Sequence, residues 1–260
     1  MAPTPSVGMP RSYDSLSVAC VIATASLAKG RYVAAHRGPW EDGEMSRVNA
    51  FDEWREVMRT LLSSRESLSD WQDQRFALAH QIGGLLSGRF GYGEPIDARV
   101  LYGVYVAGLG VVYVGQTGDA IRRLYDLAIG ESHHLAATVP PELWERVVVI
   151  EWRTLLAEIT DAEQAVIHGL GTETTSLALE ILFQRELDPP INSRRRSADG
   201  TWRARQPSNR ASRGALAAPL IPELFNVARE AWQALAMVET PAEDSIIRSH
   251  RGRVVFPQNL

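Results

Sequence analysis

Two tyrosines, an arginine and a glutamate are the residues of this chain best suited to chemistry on an anion. Tyr105 and Tyr113 stand eight positions apart, and Arg123 stands eight positions after Gly115. A phenol can hold or release a proton, and a guanidinium can neutralise two phosphate oxygens at once. Glu180 sits among Leu177, Leu179, Ile181, Leu182 and Phe183. An ionised carboxylate in so apolar a neighbourhood is costly unless it is paired or binds a metal. An ion pair with an arginine and a bound divalent cation are therefore its two readings. Each tyrosine, taken alone, also reads as an ordinary aromatic strand residue.

Local pattern gives the elements that must position these groups. Residues 99–107 form a β-rich run through Val100, Leu101, Tyr102, Val104, Tyr105 and Val106; Gly108-Leu109-Gly110 turns it, and residues 111–114 return. This predicts a hairpin, with Tyr105 and Tyr113 near each other on the paired strands. Gly115 ends it, and residues 119–127 read as a short helix carrying Arg122 and Arg123. Two phenols and a guanidinium are thus expected on one small surface.

This order resembles the GIY-YIG nuclease superfamily, with Gly103-Val104-Tyr105 for the first motif, Tyr113-Val114-Gly115 for the second, and Arg123 at the family's interval. The family pattern goes on to a histidine after the arginine helix, answered by His133 and His134. It then calls for a glutamate and, about twelve residues later, an asparagine, answered by Glu180 and Asn192. The resemblance covers residues 101–192. It implies an α+β fold, a small antiparallel β-sheet flanked by helices, extended here by N-terminal and C-terminal helical segments.

The resemblance also implies hydrolysis of phosphodiester bonds in double-stranded DNA, leaving 5′-phosphate and 3′-hydroxyl ends, with Mg²⁺ or Mn²⁺ held by Glu180. Arg123 would neutralise charge on the phosphate, and Tyr105 would take the proton of the attacking water. Tyr113 and a loop histidine would orient water or phosphate, and Asn192 would be architectural. Four residues after its arginine the family often has a histidine or tyrosine, where this chain has Leu127; Tyr125 or a loop histidine is left to substitute.

Composition narrows the setting. With 45% hydrophobic and 22% charged residues the chain reads as globular rather than disordered. Its single cysteine, Cys20, excludes a disulfide framework and any cysteine-rich zinc module. The net charge of -4 looks wrong for a DNA-binding protein, but the arginines are unevenly spread. Arg194, Arg195, Arg196, Arg203, Arg205, Arg210 and Arg213 stand against one acid, Asp199. This run, together with Arg122, is read as contacting the DNA backbone.

Three segments follow: 1–95 as an N-terminal extension with a helical subdomain, 96–193 as the nuclease domain, and 194–260 as a basic linker, helix and tail. The apolar run of residues 15–27 is too short to span a membrane, and Asp14 stands where an export signal carries positive charge. The expectation is a cytoplasmic protein with no membrane association. Helices capped by Asn49 and Ser69 are expected over 49–62 and 69–86, as a packed subdomain or the surface of a homodimer, with His80 as a core histidine. A third strand is expected over 144–152, helices over 161–170, 173–187 and 222–238, and an added edge strand at Val254-Val255-Phe256. Glu163, third after Thr160, reads as a capping-box glutamate serving its own helix. No repair module, DNA-binding repeat or zinc finger is seen, so restriction or phage defence is the expected setting. The alternatives are a repair or structure-specific nuclease and a catalytically degenerate DNA-binding regulator.

Overall fold

The computed structural model describes residues 42–130, 135–192 and 211–260. The apolar run of residues 15–27 lies outside them. The chain divides into two compact units, Met1–Arg55 and Glu56–Leu260. Helix α1 (Asp42–Leu61) begins in the first and ends in the second, and every later element belongs to the second.

The second unit is built on a five-stranded, wholly antiparallel sheet in the order β2-β1-β3-β5-β4. Its strands are β1 (Val100–Val106), β2 (Gly110–Thr117), β3 (Trp144–Ile150), β4 (Ile246–Ser249) and β5 (Gly252–Val255). β1 and β3 occupy inner positions and are covered on both faces, so they read as near-continuous apolar runs instead of alternating ones. Helices flank the sheet, and the fold class is α+β as the sequence predicts.

Side chains alternate across a strand, and the two faces carry separate cores. Tyr102, Val104, Val147, Val149 and Val255 pack with α2 (Arg65–Ser87) and α3 (Ala120–Leu127) on one face. Leu101, Val148, Ile150 and Val254 pack with α5 (Asp161–Leu187) and α7 (Pro222–Ala236) on the other. Two short helices, α4 (Leu135–Thr138) and α6 (Arg213–Ala217), fill the connections.

The hairpin is irregular in one place. Tyr105 lies opposite Val111, but Val104 lies opposite Tyr113, so Val112 is an extra residue on β2. Such a bulge turns every later side chain of the strand to the opposite face.

Two buried arginines tie helix ends to the sheet. Arg146 of β3 donates to the carbonyls of Ala236 and Val238 at 2.6 and 2.7 Å, at the end of α7. Arg253 of β5 donates to Leu85 O at the end of α2 (3.3 Å) and to Glu94 O (3.2 Å). A cation on the last carbonyls of a helix also meets the negative end of its dipole. Burial lowers the pKa of Arg253 and raises that of its neighbour Glu151.

Several expectations change. The boundaries near residues 96 and 194 do not divide the structure: α2 packs on α3, and the last segment supplies α7 and two strands of the same sheet. β5 is an inner strand rather than an edge, because β4 covers it. α2 is capped by Ser64, whose side chain accepts from Ser67 N, so Ser69 falls inside the helix. His80 is exposed and paired with the Tyr125 hydroxyl instead of lying in the core. α5 is interrupted at Gly171, which recovers the two helices expected there. Glu163 accepts from the backbone N–H groups of Glu223 and Leu224 at 3.0 and 2.7 Å, and so caps α7 instead of its own helix. Glu223 returns the contact, accepting from Thr160 N at 2.8 Å. Among the described residues no helix is long and apolar enough to cross a membrane.

Candidate active site

Tyr102, not Tyr105, is the phenol that β1 brings to Tyr113 and Arg123. Three positions apart on one strand, the two tyrosines face opposite sides of the sheet. Tyr105 lies on the α7 side, where its hydroxyl accepts a 2.6 Å hydrogen bond from Trp232 Nε1. Burial raises its pKa above the ordinary tyrosine value, and the Trp232 bond partly offsets this. It belongs to the packing of that face.

Tyr102 and Tyr113 lie on the α3 side, both buried, with ring centroids 6.0 Å apart and planes inclined at 32°. Burial pushes the Tyr102 phenol above the ordinary value of about 10. Beside it, the Arg123 guanidinium pulls the other way, the Glu180 carboxylate pushes it up further, and the Tyr113 hydroxyl lowers it. Three side chains, from β2, α3 and α5, thus act on one oxygen of β1. Yet Tyr102 Oη has no partner of good hydrogen-bond geometry among the described residues. Buried hydroxyls are seldom left so.

The glycines of the hairpin have separate reasons to be glycine. A Cβ on Gly115 would stand 2.8 Å from the Tyr113 ring and 2.9 Å from Tyr102 Oη, so Gly115 makes room for the two phenols. A Cβ on Gly103 would stand 2.4 Å from the Trp232 ring, on the far face. Gly103 therefore serves the α7 packing.

α3 presents Arg123 because Ala120, Leu124 and Leu127 bury its opposite stripe. Asp119 caps it, accepting from Arg122 N at 3.1 Å. Arg122 is exposed and paired with Asp119 at 3.2 Å. Leu127 is fully buried, and Tyr125 is engaged with His80 of α2.

Glu180 is half-buried on α5 and joined to the sheet through Gln184. The Gln184 amide donates to Glu180 Oε1 and to Val114 O, both at 3.1 Å. Asn192 holds the same peptide at two points: Val114 N donates to Oδ1 at 2.8 Å, and Nδ2 donates to Val114 O at 2.6 Å. β2 is an edge strand, and Asn192 supplies the pairing that a neighbouring strand would otherwise give. The residue it clamps lies between Tyr113 and Gly115, so Asn192 fixes the backbone that carries the phenol.

The structure therefore gathers Tyr113, Arg123 and Glu180, adds Tyr102 and Gln184, places Asn192 behind them and leaves Tyr105 out. Strand alternation shows that only one of the two β1 tyrosines can face Tyr113, but which one depends on the bulge at Val112. His133, His134, Arg194, Arg195, Arg196, Arg203 and Arg205 lie outside the described residues.

The phenols are buried, whereas Arg123 and Glu180 keep part of their surface exposed. Among the described residues no group of three or more histidine, cysteine or acidic side chains is placed to hold a metal ion. A lone carboxylate of this kind fits a hard cation that keeps most of its waters, as Mg²⁺ does, and not a closed zinc site. Comparison of the chain with protein-family models, curated proteins and solved structures returned no match.

Proposed function

We propose that the chain is a divalent-metal-dependent DNA endonuclease of the GIY-YIG kind. One observation carries this reading: Tyr113, Arg123 and Glu180 gather around the buried hydroxyl of Tyr102. Two phenols, one cation and one carboxylate can supply proton transfer, charge neutralisation and metal binding for hydrolysis of a phosphate diester. Arg123 would neutralise the charge that builds on the phosphate. Tyr102 would orient the attacking water and, once its own proton has gone to solvent, take the proton of that water as the phenolate. Burial opposes this ionisation, and Arg123 is the side chain that favours it. Tyr113 would hold the water or a phosphate oxygen. Glu180, steered by Gln184, would hold Mg²⁺ or Mn²⁺, and the ion when bound would supply charge stabilisation at the leaving 3′ oxygen.

Incubation with plasmid and Mg²⁺, with EDTA as control, tests the reading. Glu180→Gln keeps the shape and the Gln184 contact while removing the charge, and is expected to abolish cleavage with the melting temperature unchanged. Cleavage at the wild-type rate would remove Glu180 from the site.

A catalytically degenerate DNA-binding protein is the second reading, favoured by Leu127, which fills with buried hydrocarbon the position where the family often has a proton-transferring residue. Binding of duplex DNA without cleavage under any divalent metal would select it. The setting proposed for the enzyme is cytoplasmic restriction or phage defence, with repair of structured DNA as the alternative. Digestion of modified, unmodified and branched DNA side by side separates them.

A further inference from the structure

On the side of α3 turned to α2, four aromatic rings and a guanidinium form a continuous surface that the proposed hydrolysis does not use. Phe76 and His80 of α2 stack with centroids 5.8 Å apart, and His80 meets the Tyr125 ring at 5.5 Å. Phe90, in the loop after α2, meets Tyr125 edge-on at 5.3 Å. The Arg89 guanidinium lies over both rings, 4.7 Å from the centre of Phe90 and 5.1 Å from that of Tyr125. Phe76 is 49% exposed and Phe90 is 68% exposed. Phe90 also has a φ of 54°, a left-handed backbone that bulky side chains rarely adopt. A large exposed ring on such a backbone is an outlier of the kind that clusters at active sites and ligand clamps.

We propose that this surface is a stacking platform for unpaired bases of a DNA strand. Two features select that occupant. The rings offer faces on which any base can stack, and Arg89 places positive charge where the phosphate beside a stacked base would lie. Tyr125 and Arg123 belong to the same short helix, two residues apart and so on different faces of it, and a strand with a phosphate at Arg123 meets the platform by continuing round α3. The inference rests on the reading of Arg123 as a phosphate-binding group, and it narrows the substrate. DNA with an unpaired segment beside the cut, such as a flap, gap or frayed end, suits the site better than uninterrupted duplex.

The test uses the full chain carrying Glu180→Gln, and fluorescence anisotropy with a labelled single strand of about a dozen nucleotides and its duplex. Phe90→Ala and Phe76→Ala are each expected to weaken single-strand binding about tenfold, with a smaller effect on duplex. Met237→Ala, which removes an 82% exposed side chain elsewhere, should change neither. Phe90→Gly separates ligand binding from packing: it relieves the backbone, so the melting temperature should rise while affinity falls. Unchanged single-strand affinity in Phe90→Ala and Phe76→Ala overturns the proposal. So does loss of self-association by light scattering with DNA binding intact, which would make the patch a contact between copies. Plasmid cleavage by the unmodified chain is scored separately. Glu180-dependent cleavage with no effect of the platform variants sinks this inference alone; platform-dependent binding without any cleavage sinks the nuclease reading alone.

Discussion

The two faces of β1 carry the same residue type to opposite ends. On the α7 face, Tyr105 is satisfied: Trp232 donates to its hydroxyl, and Gly103 lets the indole approach. On the α3 face, Tyr102 is more deeply buried, has a cation and a carboxylate nearby, and lacks a good hydrogen-bond partner. A buried tyrosine that completes its bonds stabilises a fold. One left incomplete beside charges is held there by the surrounding structure at a cost in stability, and that cost is what points to a function.

The largest expected effect separates the two phenols directly. Tyr102→Phe should lower cleavage about a hundredfold, the scale of losing a proton-transfer group, with the melting temperature nearly unchanged. Tyr105→Phe should do the reverse, leaving the folded enzyme active and costing about 1–2 kcal/mol because Trp232 Nε1 loses its acceptor. Equal loss of cleavage in both variants would break the comparison. Plasmid cleavage and chemical denaturation of each variant suffice to decide.

Next in size come the glycines. Gly103→Ala drives a methyl into the Trp232 ring and should destabilise by about 2–3 kcal/mol, in the range of overpacked cores. Gly115→Ala drives its methyl into the two phenols, so its main expected effect is on cleavage rather than on unfolding. Thermal melts and initial rates on the pair would show whether the α7 face is structural and the α3 face functional.

Asn192→Ala leaves the Val114 N–H on the edge strand without its partner, while the carbonyl keeps Gln184, a loss of about 1–2 kcal/mol. Amide exchange at Val114 should quicken while the inner strands stay protected.

The smallest effect concerns alkaline pH. Burial raises both Tyr102 and Tyr105, so in the unfolded chain these phenols ionise first. The stability they contribute is full below about pH 10 and is lost as pH rises through the raised values. Either single phenylalanine variant should make the fall of melting temperature above that pH less steep; an unchanged slope would argue that the phenol is not buried.

Much of this could be read from local pattern. The hairpin, the arginine helix, the strand over 144–150, the two parts of α5 and α7 all follow from apolar periodicity and punctuation by glycine and proline. β4 was missed because Ile246-Ile247-Arg248-Ser249 is short and half polar, and it becomes a strand only by pairing with β5. Glu163 is read from the sequence as a cap of its own helix, but the helix it caps is more than fifty residues away, which spacing along one helix does not reveal.

The sequence by itself determined the residue types of the site: a strand holding two tyrosines, a second strand with Tyr113 and Gly115, an arginine on the next helix, and a glutamate in an apolar stretch. Which β1 tyrosine faces Tyr113 was decided only in three dimensions. In an unbroken ladder continuing from Tyr105 opposite Val111, Tyr113 would face Gly103 and share a side with Tyr105. The bulge at Val112 moves the register by one residue, and because side chains alternate with a period of two, that step carries Tyr113 to the side of Tyr102. A bulge is placed by packing on both faces at once, here Trp232 against Gly103 on one and the paired phenols against Gly115 on the other. Those contacts join residues far apart in the chain, so no local reading of the hairpin contains them.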